Sequence, residues 1–156
     1  MKVTVTANPQ FRKATPLDVD IVIALIREYY AFDHIPFNDS VVRPALQELL
    51  ENTSYGQVWL IFHNEVDSGY MVLTYGFDIE FGGRQATITD LYLRPHARGC
   101  GLGKTALQIA EQTCRLLGIH ALELQVSEDN LTALHLYEKF GLQKHDRIPM
   151  SKELTP

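Results

Sequence analysis

Apolar positions along this chain change their period at a few clear points, and those changes mark its elements. Phe11–Thr15, "FRKAT", alternates briefly and predicts a short strand. Thr15 can cap a helix whose first residue is Pro16, because the fixed φ of proline suits that position and its missing N–H costs nothing there. Leu17, Ile21, Ala24, Leu25 and Glu28 or Tyr29 follow at helical spacing. The segment "YYAFDHIPFNDS" breaks that helix, and a second, shorter helix is expected over Val41–Leu50. Two strand-like runs come next, Gln57–His63 and Ser68–Ile79. Gly82 and Gly83 make a tight turn into a partner strand, "QATITDLYLRP", which Pro95 ends. From Leu102 the period becomes helical: Leu102, Ala106, Ile109, Ala110, Thr113 and Leu117 share a face, and Gly118 is a stop. Ala121–Val126 alternates as a strand, and Ser127 to Asn130 can cap a helix that runs to Phe140 and stops at Gly141. "LQKHDRIPMSKEL" is expected to close the chain as short strands, and Val3–Thr6 to add an edge strand.

Antiparallel hairpins mixed with strand–helix–strand units predict an α/β (α+β) fold, a mixed sheet covered by helices. A chain of 156 residues suits one domain over residues 1–156. The formal net charge of −5 argues against nonspecific binding to nucleic acid or an anionic membrane. "MKVTVTANPQFRK" has no apolar core of the signal-peptide kind, and "IVIALI" is too short to span a bilayer, so the cytoplasm is the expected compartment. Cys100 and Cys114 would stand roughly 20 Å apart if both lie on one helix. A disulfide needs Cα atoms within about 7 Å, so free thiols of a reducing compartment are expected. The six histidines show no metal-like spacing, and no metal is expected.

The stretch "RPHARGCGLGKT" changes the picture. It misses the nucleotide-hydrolase P-loop by one residue, since Arg98 stands where the first glycine must be. It misses the dinucleotide fingerprint at Lys104. What remains is Arg98-x-x-Gly101-x-Gly103 between a strand and a helix. The backbone N–H groups from Gly99 to Lys104 would be the unpaired donors of a helix N-terminus, with the positive end of its dipole behind them. Glycine lets an anion approach closely, and Arg98 and Lys104 can add charge, so a pyrophosphate fits; the alternative is a helix start that binds nothing. Downstream, "SEDNLTALHLYEKFG" puts Asn130, Leu134 and Tyr137 on one helical stripe.

Taken together, "TDLYLRPHARGCGLGKTAL" and "LELQVSEDNLTALHLYEKFGL" resemble the GNAT superfamily of acyl-CoA-dependent N-acetyltransferases, most strongly over Thr89–Leu142. The loop pattern Q/R-x-x-G-x-G/A is matched by Arg98, Gly101 and Gly103; the pattern N…Y-E-K-x-G-F is matched by Asn130, Tyr137, Glu138, Lys139 and Gly141, with Leu142 replacing the aromatic. The resemblance implies a mostly antiparallel sheet, flanked by about four helices and splayed at the strand before the loop. Acetyl-CoA would lie in the splay, its pantetheine arm on the backbone of Leu91, Tyr92 and Leu93. Its pyrophosphate would sit on Arg98, Gly99, Cys100, Gly101, Leu102, Gly103, Lys104 and Thr105, with Asn130 nearby. Tyr137 would protonate the departing thiolate, as a phenol with pKa about 10 can do. Backbone N–H groups near Leu91–Leu93 could stabilise the oxyanion.

Asp90, beside that strand, is the candidate base for the acceptor ammonium, its alternative being a solvated strand-end carboxylate. Glu80 and Asp78 are weaker candidates. Tyr30, Phe32, Asp33 and Phe37 are candidate acceptor contacts, because aromatics and carboxylates suit a cationic amine. The expectation is direct attack by a small primary amine on acetyl-CoA in a ternary complex. A protein lysine or N-terminus as acceptor, and an acyl-CoA-binding regulatory domain, are the alternatives. Oligomeric state stays open, with a homodimer among the expectations.

Overall fold

A five-stranded sheet in the order β1-β2-β3-β4-β5 organises the computed structural model, which describes residues 8–154. Its strands are β1 (Phe11–Lys13), β2 (Gly56–His63), β3 (Val66–Asp78), β4 (Gly83–Leu93) and β5 (Ala121–Leu124). The first four run antiparallel to their neighbours, and β5 lies parallel to β4 after the crossover through helix α3 (Leu102–Leu116). Helices α1 (Val19–Phe32) and α2 (Asp39–Glu51) fill the connection between β1 and β2, and α4 (Leu131–Phe140) follows β5. The chain divides into two compact units: one up to Gln125 with the sheet and α1–α3, and one from Val126 with α4. Among the described residues no helix is long and apolar enough to cross a membrane. The expected edge strand Val3–Thr6 lies outside the described residues.

Side chains alternate across a strand, so each one serves both faces of the sheet. Val58, Leu60, Tyr70, Val72 and Tyr92 join Val22, Ile23, Leu25 and Ile26 of α1 and Leu46 of α2 in one core cluster. Trp59, Ile61, Met71 and Leu73 are equally buried and face the other way. Helix α3 packs against β4 and β5 through Leu102, Ala106, Leu107, Ile109, Ala110, Thr113 and Cys114. Burial pushes the Cys114 thiol up to about 11 and keeps it inert, while Cys100 is exposed; both are free.

Two expectations change. The face read for the first helix is rotated: Leu17 is 96% exposed and Ile21 39%, while Val19, Val22, Ile23 and Ile26 are buried. The segment is apolar nearly all round, and Pro16–Asp18 forms a separate 3-10 turn that shifts the phase before α1 begins. Residues 142–154 form no strand. Ile148, Met150 and Leu154 are largely exposed there, and Pro149 cannot donate to a ladder.

Thr15 caps that 3-10 turn as expected. Its hydroxyl accepts from the Leu17 N–H at 3.3 Å, and the Asp18 carboxylate accepts from the Thr15 N–H at 2.8 Å, closing a capping box. Arg12 donates to both Asp18 oxygens at 2.9 Å, and that contact is the main reason the Asp18 carboxyl is held down to about 2. Asp18→Ala should therefore lower stability at pH 7 by about 1–2 kcal/mol, mostly from the cap, because Arg12 is half-exposed and water screens the ion pair. The folded carboxyl lies below its unfolded value, so the stabilisation is present above about pH 4 and fades as pH falls through about 2. Urea melts at pH 7 and pH 2 check both the size and the sign; equal midpoints at pH 7 would refute it.

Candidate active site

The site begins with one extra residue. In the β3–β4 ladder Leu73 faces Ile88 but Val72 faces Asp90, so Thr89 is bulged out of register. A bulge flips the alternation. Ile88 shares the face of Leu73, whereas Asp90 and Tyr92 share the face of Val72 and Tyr70, towards α1. Without the bulge the Asp90 carboxyl would point to the opposite face.

The same strand loses a neighbour at this point. Pairing with β5 covers Gln85–Ile88 and ends at Ile88 opposite Leu124, as expected for a splayed sheet. The Arg94 N–H donates to the Ser68 carbonyl at 2.7 Å. In an antiparallel ladder the residues two apart share that direction, so Tyr92 and Asp90 spend their amides on β3. Leu91 and Leu93 then turn their amides to the edge that β5 has left. The Leu93 carbonyl accepts from Arg98 Nε at 2.8 Å.

Pro95–Ala97 makes a 3-10 turn after β4, and the loop then enters α3 through Gly99 and Gly101, with φ of 75° and 85°. This left-handed backbone costs an L-residue roughly 1–2 kcal/mol, which glycine avoids. A Cβ at either position would meet nothing within 4 Å, so space for an approaching group is open. Gly101 is the N-cap and offers no side-chain acceptor, so the first N–H groups of α3 at Leu102, Gly103 and Lys104 are not capped by it. Leu102 is buried and contributes only its backbone; Lys104 is exposed. Thr105 spends both its N–H and its hydroxyl on the Gly101 carbonyl, each at 3.1 Å. The Cys100 thiol donates to the Ala97 carbonyl at 3.0 Å. The Arg98 guanidinium does not extend along the loop: it stacks over Phe32 at 4.9 Å and Tyr92 at 5.7 Å from the ring centroids.

Those rings belong to an aromatic cluster at the C-terminal end of α1. Tyr29 lies 5.8 Å from Tyr30, 6.4 Å from Tyr70 and 6.0 Å from Tyr92; Tyr30 is 6.1 Å from Phe37, and Phe32 is 6.4 Å from Tyr92. Tyr30, Phe32 and Phe37 are thus brought together as the sequence suggests, while Asp33 sits at the C-cap of α1, where its N–H donates to the Tyr29 carbonyl. Asp90 reaches this cluster: the Tyr70 O–H donates to Asp90 Oδ2 at 2.6 Å. Burial pushes the Asp90 carboxyl up, opposed by hydrogen bonds from Tyr70 and Thr89. The Tyr30 phenol is raised by its own burial and then by the Asp90 charge. Among the described residues Asp90 forms no ion pair. Asp78 and Glu80 are at the far end of the β3–β4 hairpin, where Asp78 accepts from the Glu80 N–H at 2.9 Å.

Sequence reasoning missed Tyr70, Glu28 and Arg94 as parts of this site. Arg94 grips Glu28 of α1 at 2.8 Å and the Asp67 carbonyl at 2.7 Å, tying the aromatic end of α1 to the start of the loop. No local pattern signals partners 66 positions apart. The one hint was in β4, where apolar residues move from even positions (Ala86, Ile88) to odd ones (Leu91, Leu93), as a bulge requires.

In the second unit, Asn130 caps α4 and its side chain accepts from the Ala133 N–H at 3.2 Å. Asn130, Leu134 and Tyr137 are all half-buried, as one stripe predicts. Burial pushes the Tyr137 phenol up, so it stays protonated and able to donate.

Comparison with known proteins agrees with this layout. The chain is 35% identical over 102 residues to the N-acetyltransferase YycN of Bacillus subtilis, a match spanning 65% of this chain and 64% of that relative, under two thirds of its length. It is 29% identical over 133 residues to the thialysine N-epsilon-acetyltransferase of Caenorhabditis elegans, covering 84% of this chain and 81% of that one. Among solved structures, an integron cassette protein from the mobile metagenome of Cole Harbour Salt Marsh superposes with a TM-score of 0.83 at 33% identity, over 95% of this chain and 92% of that one. The family model of the acetyltransferase (GNAT) family matches residues 22–142, most of the chain and both motif-bearing segments, and the chain belongs to that family.

Proposed function

We propose that this protein transfers an acetyl group from acetyl-CoA to the primary amine of a small cationic molecule, by direct attack in a ternary complex. One observation carries the acceptor class: Asp90 is a partly buried carboxylate with no cation paired to it among the described residues, set among aromatic rings. A charge withdrawn from water is costly unless a partner compensates it. An acceptor ammonium supplies that partner, and the surrounding ring faces attract it further. The thialysine N-epsilon-acetyltransferase relative, named for an amine nitrogen, supports the same class.

The residues present fit acetyl-CoA on two counts. The uncapped start of α3, with open space at Gly99 and Gly101, suits a pyrophosphate. The β4 edge at Leu91 and Leu93 suits an amide-bearing arm laid beside it as an extra strand. When bound, the cosubstrate supplies an acyl group activated as a thioester. Asp90 takes the acceptor proton and frees the nitrogen lone pair. Backbone N–H groups at the β4 edge face the charge that develops on the carbonyl oxygen. Tyr137 returns a proton to the leaving thiolate; this role comes from the family pattern together with its protonated phenol. Arg98 serves the acceptor wall with its side chain and the phosphate loop with its backbone.

The test is thiol release from acetyl-CoA across a panel of small diamines, amino acids with side-chain amines, lysine-bearing peptides and free peptide N-termini. The small cationic amines should turn over fastest. Faster turnover of peptides would replace this reading with a protein acetyltransferase. Tight acetyl-CoA binding with no turnover on any amine would replace it with a regulatory domain.

A further inference from the structure

Tyr70 is fully buried at the centre of β3, yet its O–H is directed at Asp90 at 2.6 Å. Diagonal placement across the ladder explains the reach: Tyr70 faces Tyr92, Val72 faces Asp90, and all four share one side of the sheet. We propose that Tyr70 is a positioning residue for acetyl transfer, pinning one oxygen of Asp90 and leaving the other to take the proton of the acceptor. The proposal rests on the reading of Asp90 as base given above. In the step it serves, an N–H bond of the acceptor ammonium breaks and the proton goes to the unpinned Asp90 oxygen. The freed lone pair forms the C–N bond at the thioester carbon, the C–S bond breaks, the thiolate leaves with a proton from Tyr137, and the second proton lost from the nitrogen restores that phenol through solvent. Asp90 later returns the proton to solvent.

Tyr70 shares the carboxylate with one other hydroxyl donor. From β4, Thr89 also donates to Asp90, and Tyr92 stands on the same face. From α1, Tyr30 feels the Asp90 charge and the Tyr29 ring lies 6.4 Å from that of Tyr70. The charged groups nearby are engaged with each other or with rings: Glu28 with Arg94, and Arg98 with Phe32 and Tyr92. Among the described residues the carboxylate is therefore held by hydroxyls and by no cation. Burial and the Asp90 charge push the ionisation of Tyr70 far up, so its O–H remains a donor at every working pH.

The experiment compares wild type, Tyr70→Phe, Tyr70→3-fluorotyrosine and Asp90→Asn by two readouts. One is the carbon-13 NMR titration of the Asp90 carboxyl without substrates; the other is the pH profile of kcat/KM with a small diamine. Tyr70→Phe keeps the ring and removes the donor, so the carboxylate loses support and its titration midpoint should rise by roughly one to two pH units. The acid limb of kcat/KM should rise with it. The fluorinated tyrosine has nearly the same shape and a stronger donor, so both should move down, which decides the matter even if the Phe variant folds poorly. An unmoved titration midpoint in folded variants overturns the proposal. An acid limb displaced upward in Asp90→Asn but unmoved in the Tyr70 variants overturns it alone; an acid limb unchanged in Asp90→Asn removes the base assignment and the proposal together.

Discussion

Tyr137→Phe should lower turnover by roughly 10²–10⁴-fold while acetyl-CoA still binds, the usual range for losing a placed general acid. The substitution removes one hydroxyl and keeps the ring on the half-buried stripe of α4, so packing barely changes. Burial raises the phenol further, which makes it a weaker acid in isolation but keeps its proton in place until a more basic thiolate forms beside it. A thioester with a better leaving group needs less protonation and should recover the variant preferentially. Steady-state rates of both proteins on both thioesters separate the roles. Equal losses on the two would mean that the hydroxyl positions the cosubstrate, and turnover within a fewfold of wild type would mean that Tyr137 only packs.

Asp90→Asn should cost turnover on the same scale, with a definite pH signature. With Asp90 as base the wild type needs the carboxylate form, so its rate should fall as pH drops through the raised Asp90 value. The variant depends on acceptor that has lost its proton unaided. Its deficit should be largest well below the pKa of the acceptor ammonium and should shrink as pH approaches it, because free amine is then abundant. A rate–pH profile identical to wild type would remove Asp90 from the mechanism. Stability moves the other way. A carboxyl raised on folding costs stability above its unfolded pKa, and that cost disappears as pH falls. Asparagine can still accept the Tyr70 hydrogen bond without the buried charge, so thermal melting at pH 7 should show no loss. Lost activity with retained stability is what a functional carboxylate, kept at some cost to the fold, predicts.

Much of the site was legible locally. The Thr15 cap, the glycine stops, the buried face of α3 and the Arg98-to-Lys104 loop depend on residues within a turn or two of each other, and sequence carries such relations directly. The order of strand, glycine loop and helix fixed where the backbone donors of Leu102, Gly103 and Lys104 would fall. That Tyr30, Phe32 and Phe37 cluster was legible because they stand close together in the chain as well as in space.

What tertiary structure decided is which way these groups face. In α1 and the turn before it, where most positions are apolar, periodicity could not choose a face, and the sheet chose Val22 and Ile26 over Leu17 and Ile21. In β4, the bulge at Thr89 sends Asp90 towards Tyr70 and α1; strict alternation with Ile88 would have sent it to the other side. The C-terminal residues, expected as short strands, formed no ladder, since a strand exists only with a partner for its N–H and C=O groups. The chain alone therefore specified the glycine loop, which is built from consecutive backbone. The Tyr70–Asp90 and Arg94–Glu28 contacts around the proposed acceptor site join separate elements, and only the folded sheet brings them together.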